Sequence, residues 1–366
     1  SVSYPVSQLQ LPDGLVETVG VELRKYEGPV SDTFYSALVP GALVVDLQEH
    51  LGLVKDQLDR RLAVQGLQVP VVYMAGDESA FQRIAEAAGT EAGPVDGYFL
   101  TDDTHSGIYM RADFLRTRVQ RVLTHEYVHS VLYQIAGDRA LPAWLNEGIA
   151  KYYEYVLGVQ GERPDAARAG LYRSADLARD AALTGTLLSL SSLESQKAWN
   201  SQKDKARISL QYAQSHMAMR YLTDTYGTGV PIGIVKRMAG GPSLPEALQD
   251  EIGVNYLEFE RQFVQWLKTW EDPERREIRQ STQALNGVVA SVNSLFGRRT
   301  EDLKSGAPPA QRVLTAESRV SDAEQLLGQL EDMSPPARLE HLHQEGLTFL
   351  NRVAQWMTLE LEHLRD

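Results

Sequence analysis

The sequence predicts an α+β fold: a small mixed β-sheet with helices, then a mainly helical half, then a C-terminal helical bundle. Strand-like patterns, in which apolar and polar residues alternate, are confined to the first 137 positions. Beyond them, apolar residues recur every three or four positions, which is typical of amphipathic helices. A length of 366 residues also exceeds that of a usual single domain. We therefore expect a mixed N-terminal part followed by helices.

The first part, residues 1–137, alternates strands and helices. The predicted elements, in chain order, are strand 16–26, helix 41–64, strand 69–74, helix 79–88, strands 97–101 and 107–111, and helix 113–136. The last two strands, separated by a short polar loop, predict a hairpin. The final helix stops at Gly137, a residue that commonly ends helices.

The second part, residues 138–270, is predicted to be helical, and the third part, residues 271–366, to be a three-helix bundle. Glu271-Asp272-Pro273 marks the change between them, and Pro-rich turns separate three apolar seams beyond it. The predicted helices of the second part cover 143–154, 164–182, 204–226, 231–239, 243–251 and 255–270. A bundle that packs against the rest of the chain is favoured, and a protein partner or self-association through these helices is the alternative.

Composition limits the partners and the metal chemistry. A net charge of -13 argues against a nucleic-acid partner, which would require basic patches. The chain contains no cysteine, so only His, Asp and Glu side chains can serve as strong metal ligands. No apolar run reaches the roughly 18 residues that would span a bilayer. Because the chain begins at Ser1 rather than at a methionine, we expect an extracytoplasmic protein, secreted or surface-anchored, whose leader is absent from this sequence.

The stretch with the clearest chemistry is His125-Glu126-Tyr127-Val128-His129. Residues four apart lie above one another on a helix, so His125 and His129 can bind one metal ion from the same face. Glu126 lies about a quarter-turn away, where it can act on a water molecule without being a ligand. In H-E-x-x-H metallopeptidases the glutamate is the general base. The alternative is an amphipathic core helix with two hydrogen-bonded histidines.

A catalytic zinc site needs three protein ligands and one open position. Glu147, 18 positions after His129, could supply the third ligand from a second helix that folds back across a short loop. Pro142, at the start of this second helix, occupies a common first helical position.

The segment Trp144-Leu145-Asn146-Glu147-Gly148-Ile149-Ala150, together with the histidine motif, resembles the gluzincin metallopeptidases. It is closely similar to the bacterial peptidase MA-like family, and the likeness covers roughly residues 15–270. The resemblance implies a zincin-like fold, one zinc ion per chain, and a zinc-dependent metallopeptidase that acts on peptides or proteins. It also implies that Glu147 is the third zinc ligand.

The resemblance extends to the helix that carries Tyr212 and His216. In related gluzincins, a tyrosine or histidine at a comparable distance after the third ligand stabilises the tetrahedral oxyanion. Tyr212 and His216 are four residues apart and share a helix face. Tyr212 is favoured as this catalytic donor, with His216 as the alternative, and either could simply be a packing residue.

One departure from the family concerns substrate choice. The zinc aminopeptidases carry a Gly-x-Met-Glu-Asn segment whose glutamate binds the free amine of the substrate, and residues 97–111 do not match it. An endopeptidase is therefore favoured over an aminopeptidase. Asn146 could orient a ligand, and Glu154 is expected to be an outward acid paired with Lys151.

A protein of a different class would fit the same motifs. Such a protein would keep the zincin fold without catalysis and bind peptides or partner proteins as a scaffold. Glu126 argues against it, because a scaffold does not need the base.

Overall fold

The computed structural model describes residues 2–4, 21, 23–64, 66–88, 95–101, 106–137, 139–159 and 164–366. The chain divides into two compact units, Ser1–Trp270 and Glu271–Asp366. The first unit contains both parts that the sequence analysis separates at residue 137, and that inner boundary stays a prediction. Among the described residues, no helix has the length and apolar character that crossing a membrane requires.

The first unit contains a six-stranded mixed sheet, and its strands are β1 Val2–Tyr4, β2 Leu23–Glu27, β3 Asp32–Ser36, β4 Val71–Ala75, β5 Gly97–Thr101 and β6 Ser106–Arg111. Their spatial order is β1-β2-β3-β4-β6-β5. Strands β3, β4 and β6 pair in parallel, and the remaining pairs are antiparallel. The predicted hairpin is confirmed, and β5 lies at an edge of the sheet. The small mixed sheet of the predicted α+β fold is therefore present.

Strand β3, Asp-Thr-Phe-Tyr-Ser, is absent from the predicted elements, because its two apolar residues, Phe34 and Tyr35, are adjacent and do not alternate with polar ones. Four of those five residues are buried, since both faces of the strand are covered: Tyr35 packs into one core cluster and Phe34 into another. Of the predicted strand 16–26, residues 16–20 and 22 lie outside the described part of the chain, and β2 begins at Leu23.

Ten helices of the first unit are described: α1 Gly41–Leu62, α2 Glu78–Ala87, α3 Arg116–Ala136, α4 Ala143–Val159, α5 Pro164–Thr184, α6 Gln196–Ser201, α7 Lys205–Tyr226, α8 Val230–Ala239, α9 Leu244–Ile252 and α10 Tyr256–Thr269. Side-chain caps fix several of their starts; Asp77, for example, accepts a hydrogen bond from the backbone of Ala80 at the start of α2. The predicted helices are present within a few residues, and α6 is an additional short one.

Helix α3 runs through the centre of this unit. It contacts strands β5 and β6 on one side and helices α1, α4 and α8 on others, and α4 lies between α3 and α7. Side chains such as Val119, Tyr127 and Val131 are fully buried there. A helix covered on so many sides holds its polar side chains in fixed positions, which is what a metal site requires.

The second unit consists of three helices: α11 Pro273–Lys304, α12 Pro309–Glu331 and α13 Glu340–Arg365. Asp272 caps α11 by accepting hydrogen bonds from the backbone of Glu274 and Arg275. The core side chains belong to the three predicted seams, and they include Val292, Leu295, Ala323, Leu330, Leu350, Val353 and Met357. The helical C-terminal part of the predicted fold is confirmed.

Candidate metal centre

Two consecutive helices bring the predicted ligands together. His125 and His129 lie one turn apart on α3, and Glu147 lies in the first turn and a half of α4. The connection between the helices reverses at Gly137, whose φ of 61° is accessible mainly to glycine. Pro142 precedes α4, and its carbonyl accepts hydrogen bonds from Leu145 and Asn146. This tight turn places α4 directly against α3.

Three ligand atoms of this group form a nearly equilateral triangle. His125 Nε2 and His129 Nε2 are 3.1 Å apart, and Glu147 Oε2 lies 3.3 Å from the first and 3.5 Å from the second. Tetrahedral ligands at about 2.0–2.1 Å from a zinc ion would be about 3.3–3.4 Å from one another. Glu147 Oε2 is buried and makes no hydrogen bond with the described residues. The three side chains therefore fit a metal ion, as a group of potential ligands.

The electrostatics of the triangle favour a positive charge at its centre. Burial alone would raise the pKa of Glu147, but His129 and His125 hold this pKa well below its usual value. Burial alone would lower the pKa of His125, but Glu147 and Glu154 raise it to about 10. Glu147 likewise raises the pKa of His129 against the effect of burial. Carboxylates that stabilise positive charge on both imidazoles would also attract a metal cation.

A further side chain orients each histidine. His129 Nδ1 lies 3.1 Å from Asn146 Oδ1. Asn146 directly precedes Glu147 on α4, so adjacent residues of α4 contact the metal group. His125 Nδ1 lies 3.4 Å from Glu154 Oε2. Contacts of this kind fix the ring orientation of ligating histidines. The predicted orienting role of Asn146 is consistent with this contact.

The expected outward position of Glu154 is wrong. Its side chain is only 4% exposed, and it accepts hydrogen bonds from Lys151 Nζ at 2.7 Å and Arg121 Nε at 2.9 Å. Glu154 follows Glu147 by two helical turns, so both carboxylates point toward α3. This spacing was visible in the sequence, but the packing of Arg121 and His125 against that face of α4 was not.

Glu126 lies beside the triangle and against the sheet. It is buried, and burial raises the pKa of its carboxyl group above the ordinary value, opposed by the charges of His125 and His129. Strand β5 passes close by, because a Cβ atom added at Gly97 would lie 3.3 Å from Glu126 Cγ. The side chain of Glu126, the predicted base, therefore lies between its own helix and the edge strand β5.

Tyr212 reaches the metal centre because α7 approaches α4 closely. A Cβ atom added at Gly148 would lie 2.6 Å from the carbonyl oxygen of Ser215, so only glycine allows this distance. The Tyr212 ring centroid lies 6.5 Å from that of His125 and packs edge-on against Trp199. Burial raises the pKa of Tyr212, and the charge of Glu147 adds to this effect.

His216 contacts a different group of residues. Its Nδ1 lies 3.2 Å from Ser174 Oγ on α5, and its ring packs edge-on against Tyr155 at 4.9 Å. Burial, followed by the charges of Arg220 and Lys151, lowers the pKa of His216 to about 3. The shared helix face therefore separates into two environments, and only the contacts of Tyr212 include a residue of the triangle.

Sequence comparison identifies the region that carries these helices. Residues 97–269 match the family model described as the Peptidase MA superfamily. No curated protein matches the chain. The matched region starts at β5 and ends at the end of α10, so it includes every residue of the metal centre.

Solved structures with some similarity include an M1 zinc metallopeptidase from Deinococcus radiodurans, with 16% identity and a TM-score of 0.38. A mutant of the same enzyme bound to a Tyr-Ser-Ala substrate gives 17% identity and a TM-score of 0.37. Each alignment covers 69% of this chain and 53% of the other, so this chain matches about half the length of those proteins.

The H-E-x-x-H helix, the glutamate of the following helix and the matched family model together define the class. Residues 97–269 are thus similar to the Peptidase MA superfamily and resemble a gluzincin-type metallopeptidase region.

Proposed function

We propose that this protein is a zinc-dependent metallopeptidase that hydrolyses internal peptide bonds. The observation that carries the proposal is the triangle of His125, His129 and Glu147 ligand atoms, with sides of 3.1, 3.3 and 3.5 Å, next to the buried carboxyl group of Glu126. A metal-binding group alone would fit a structural site. A buried carboxyl group that is not a ligand, next to the group, is what hydrolysis needs in addition.

His125, His129 and Glu147 would hold one zinc ion, which would supply a Lewis acid for a water molecule and for the carbonyl of the substrate. Glu126 accepts the proton of the attacking water and then passes it to the leaving amine. Burial raises the pKa of its carboxyl group, which makes the carboxylate a stronger base.

Tyr212 donates a hydrogen bond to the oxyanion that develops on the attacked carbonyl. A phenol is protonated at neutral pH, and burial raises the pKa of Tyr212 further, so the hydroxyl can donate. The ring lies beside His125, and Trp199 holds it from the other side. His216 is the weaker candidate, because its described partners are Ser174 and Tyr155.

The substrate lies along β5 as an added strand. This strand forms an edge of the sheet next to Glu126, and all five of its residues are partly exposed. An extended peptide can hydrogen-bond to such an edge through its own backbone. Strand β5 consists of Gly97, Tyr98, Phe99, Leu100 and Thr101, so it offers no carboxylate that could bind a free amine. This supports endopeptidase activity over aminopeptidase activity.

The test is digestion of a mixed peptide library by the zinc-loaded chain and by Glu126→Gln. We expect the wild type to cleave, and Glu126→Gln to bind one zinc per chain and lose activity by about 10²–10⁴-fold. Glu86→Gln on the exposed face of α2 serves as the matched control and should retain full activity. Zinc binding without cleavage would favour the scaffold alternative, and undiminished activity in Glu126→Gln would refute the base assignment.

A second arm separates the two peptidase types. Peptides with acetylated N-termini should be cleaved at internal bonds as fast as their free counterparts. Cleavage that requires a free N-terminal amine would show an aminopeptidase and refute the endopeptidase assignment, while leaving the metal chemistry intact.

A further inference from the structure

The last helix of the chain has two apolar faces. One face packs in the bundle through Leu350, Val353 and Met357. The other exposes Leu342, Phe349 and Trp356, which are 53%, 53% and 38% exposed and follow one another at intervals of seven residues. A seven-residue interval keeps side chains on one stripe of a helix and is the spacing of paired helices.

Helix α11 widens this stripe into a continuous surface. The Phe296 ring stacks on Trp356 with a centroid distance of 5.6 Å. Val289 and Leu303, each seven residues from Phe296 on α11, are 57% and 51% exposed. We call these six residues of α11 and α13 the exposed apolar strip. An exposed, contiguous apolar surface of this kind marks an interaction site more often than scattered apolar residues do.

Charged residues lie between the apolar residues of α13 in a symmetric order. Glu345 lies between Leu342 and Phe349, and its described ion pair is a long contact of 3.6 Å with the exposed His341. Arg352 lies between Phe349 and Trp356 and is exposed. From Phe349 outward, the stripe thus carries an acid on one side, a base on the other, and an apolar residue at each end.

This order is complementary to itself. With a rise of about 1.5 Å per residue, Leu342 and Trp356 lie about 10.5 Å from Phe349 in opposite directions. An antiparallel copy of α13 centred on Phe349 would place Leu342 opposite Trp356 of the partner subunit. Glu345 of one subunit and Arg352 of the partner subunit would then differ by only about 1.5 Å in position along the helix axis. A parallel copy would instead place acid against acid and base against base.

We propose that the exposed apolar strip is a homodimer interface, in which two copies of α13 pair antiparallel about a two-fold axis at Phe349. A two-fold interface requires a surface that is complementary to itself, and the order of residues on α13 meets this requirement. In this pairing, Trp356 of the partner subunit would lie opposite an open depression of about 740 Å³ between Ala337 and Arg352.

Charge exchange tests the proposal on the full chain. Sedimentation should show a dimer at micromolar concentrations, and Arg352→Glu or Glu345→Arg alone should weaken dimerisation at least about tenfold, since like charges would then face each other. The double variant Glu345→Arg with Arg352→Glu should restore it. A monomeric wild type, or single variants that dimerise as the wild type does, would overturn the proposal. These side chains are exposed, so unchanged circular dichroism spectra should show that the variants fold.

Disulfide trapping locates the axis, because the chain contains no cysteine of its own. Phe349→Cys should form a disulfide-linked dimer under mild oxidation, and Gln325→Cys on the exposed face of α12 should remain monomeric in the same assay. Trapping of Gln325→Cys but not Phe349→Cys would place the interface on α12 instead. Absence of trapping at both positions, with a dimer in sedimentation, would also refute the axis at Phe349.

Discussion

The helices around the metal centre bury carboxylates, whereas the helices of the C-terminal unit bury mainly aliphatic side chains. Glu126, Glu147 and Glu154 are each less than 9% exposed in the first unit. Leu295, Leu330 and Leu350 occupy the equivalent interior of the second. A buried carboxylate lowers stability unless a charge or a metal compensates it. The difference shows that α3 and α4 hold ionisable groups inside the first unit, whereas α11, α12 and α13 form their core mainly by aliphatic packing.

The largest expected effect concerns the aliphatic core. Leu295→Ala should lower the unfolding free energy of the second unit by about 2–5 kcal/mol, because it leaves a cavity among α11, α12 and α13. Amide hydrogen exchange should become faster in these helices and stay unchanged in α3. Leu314→Ala, at an exposed position of α12, is the control and should change stability by less than about 0.5 kcal/mol. Faster exchange throughout α3 would show that the units do not unfold separately.

The next effect concerns the proposed oxyanion donor. Tyr212→Phe should reduce kcat by about 10²–10³-fold with little change in KM, because the lost hydrogen bond forms only in the transition state. Steady-state kinetics on a single peptide would measure both constants. Tyr133→Phe, on the partly exposed face of α3, should keep the wild-type kcat. If Tyr212→Phe retained activity and a His216 variant lost it while still folded, His216 would be the donor.

A smaller effect concerns the carboxylate behind His125. Glu154→Gln should weaken zinc binding about 10–100-fold, because the histidine ring loses the charge that orients it. Competition against a chelator would measure the affinity. Glu49→Gln, at an exposed position of α1, is the control. Unchanged affinity in Glu154→Gln would mean that Glu154 serves only Arg121 and Lys151.

The smallest effect is a dependence on pH. The pKa of His216 is lowered from 6.5 to about 3 by burial, so the unfolded chain binds one more proton between these values. The unfolding free energy should therefore fall by about 1.4 kcal/mol per pH unit as the pH drops below 6.5, and His216 should contribute no slope above it. Denaturant unfolding with a chelator at pH 7, 6 and 5 should show a shallower slope for His216→Gln than for the wild type. His363→Gln, exposed on α13, should match the wild type, and equal slopes in all three proteins would contradict the buried neutral histidine.

Local patterns explain which parts of the fold the sequence predicts. Apolar residues every three or four positions identify most helices, including those of the C-terminal unit, because a helix repeats within a few residues. The pattern does not predict strand β3, since its apolar residues Phe34 and Tyr35 are adjacent and its position depends on pairing with β4, almost 40 residues away. Helix α6 escapes it as well, although its Trp199 supports Tyr212.

The sequence by itself determined which residues could form the metal centre. Four-residue spacing places His125 and His129 on one face of a helix, and the resemblance of the segment around Glu147 to known metallopeptidases implies a third ligand. Only the tertiary structure decided which other side chains meet them. Glu154 points inward because α3 packs against α4, and Tyr212 rather than His216 lies beside His125 because α7 approaches α4 at Gly148. Contacts between helices depend on packing across the whole unit, and the spacing of residues within one helix does not predict them.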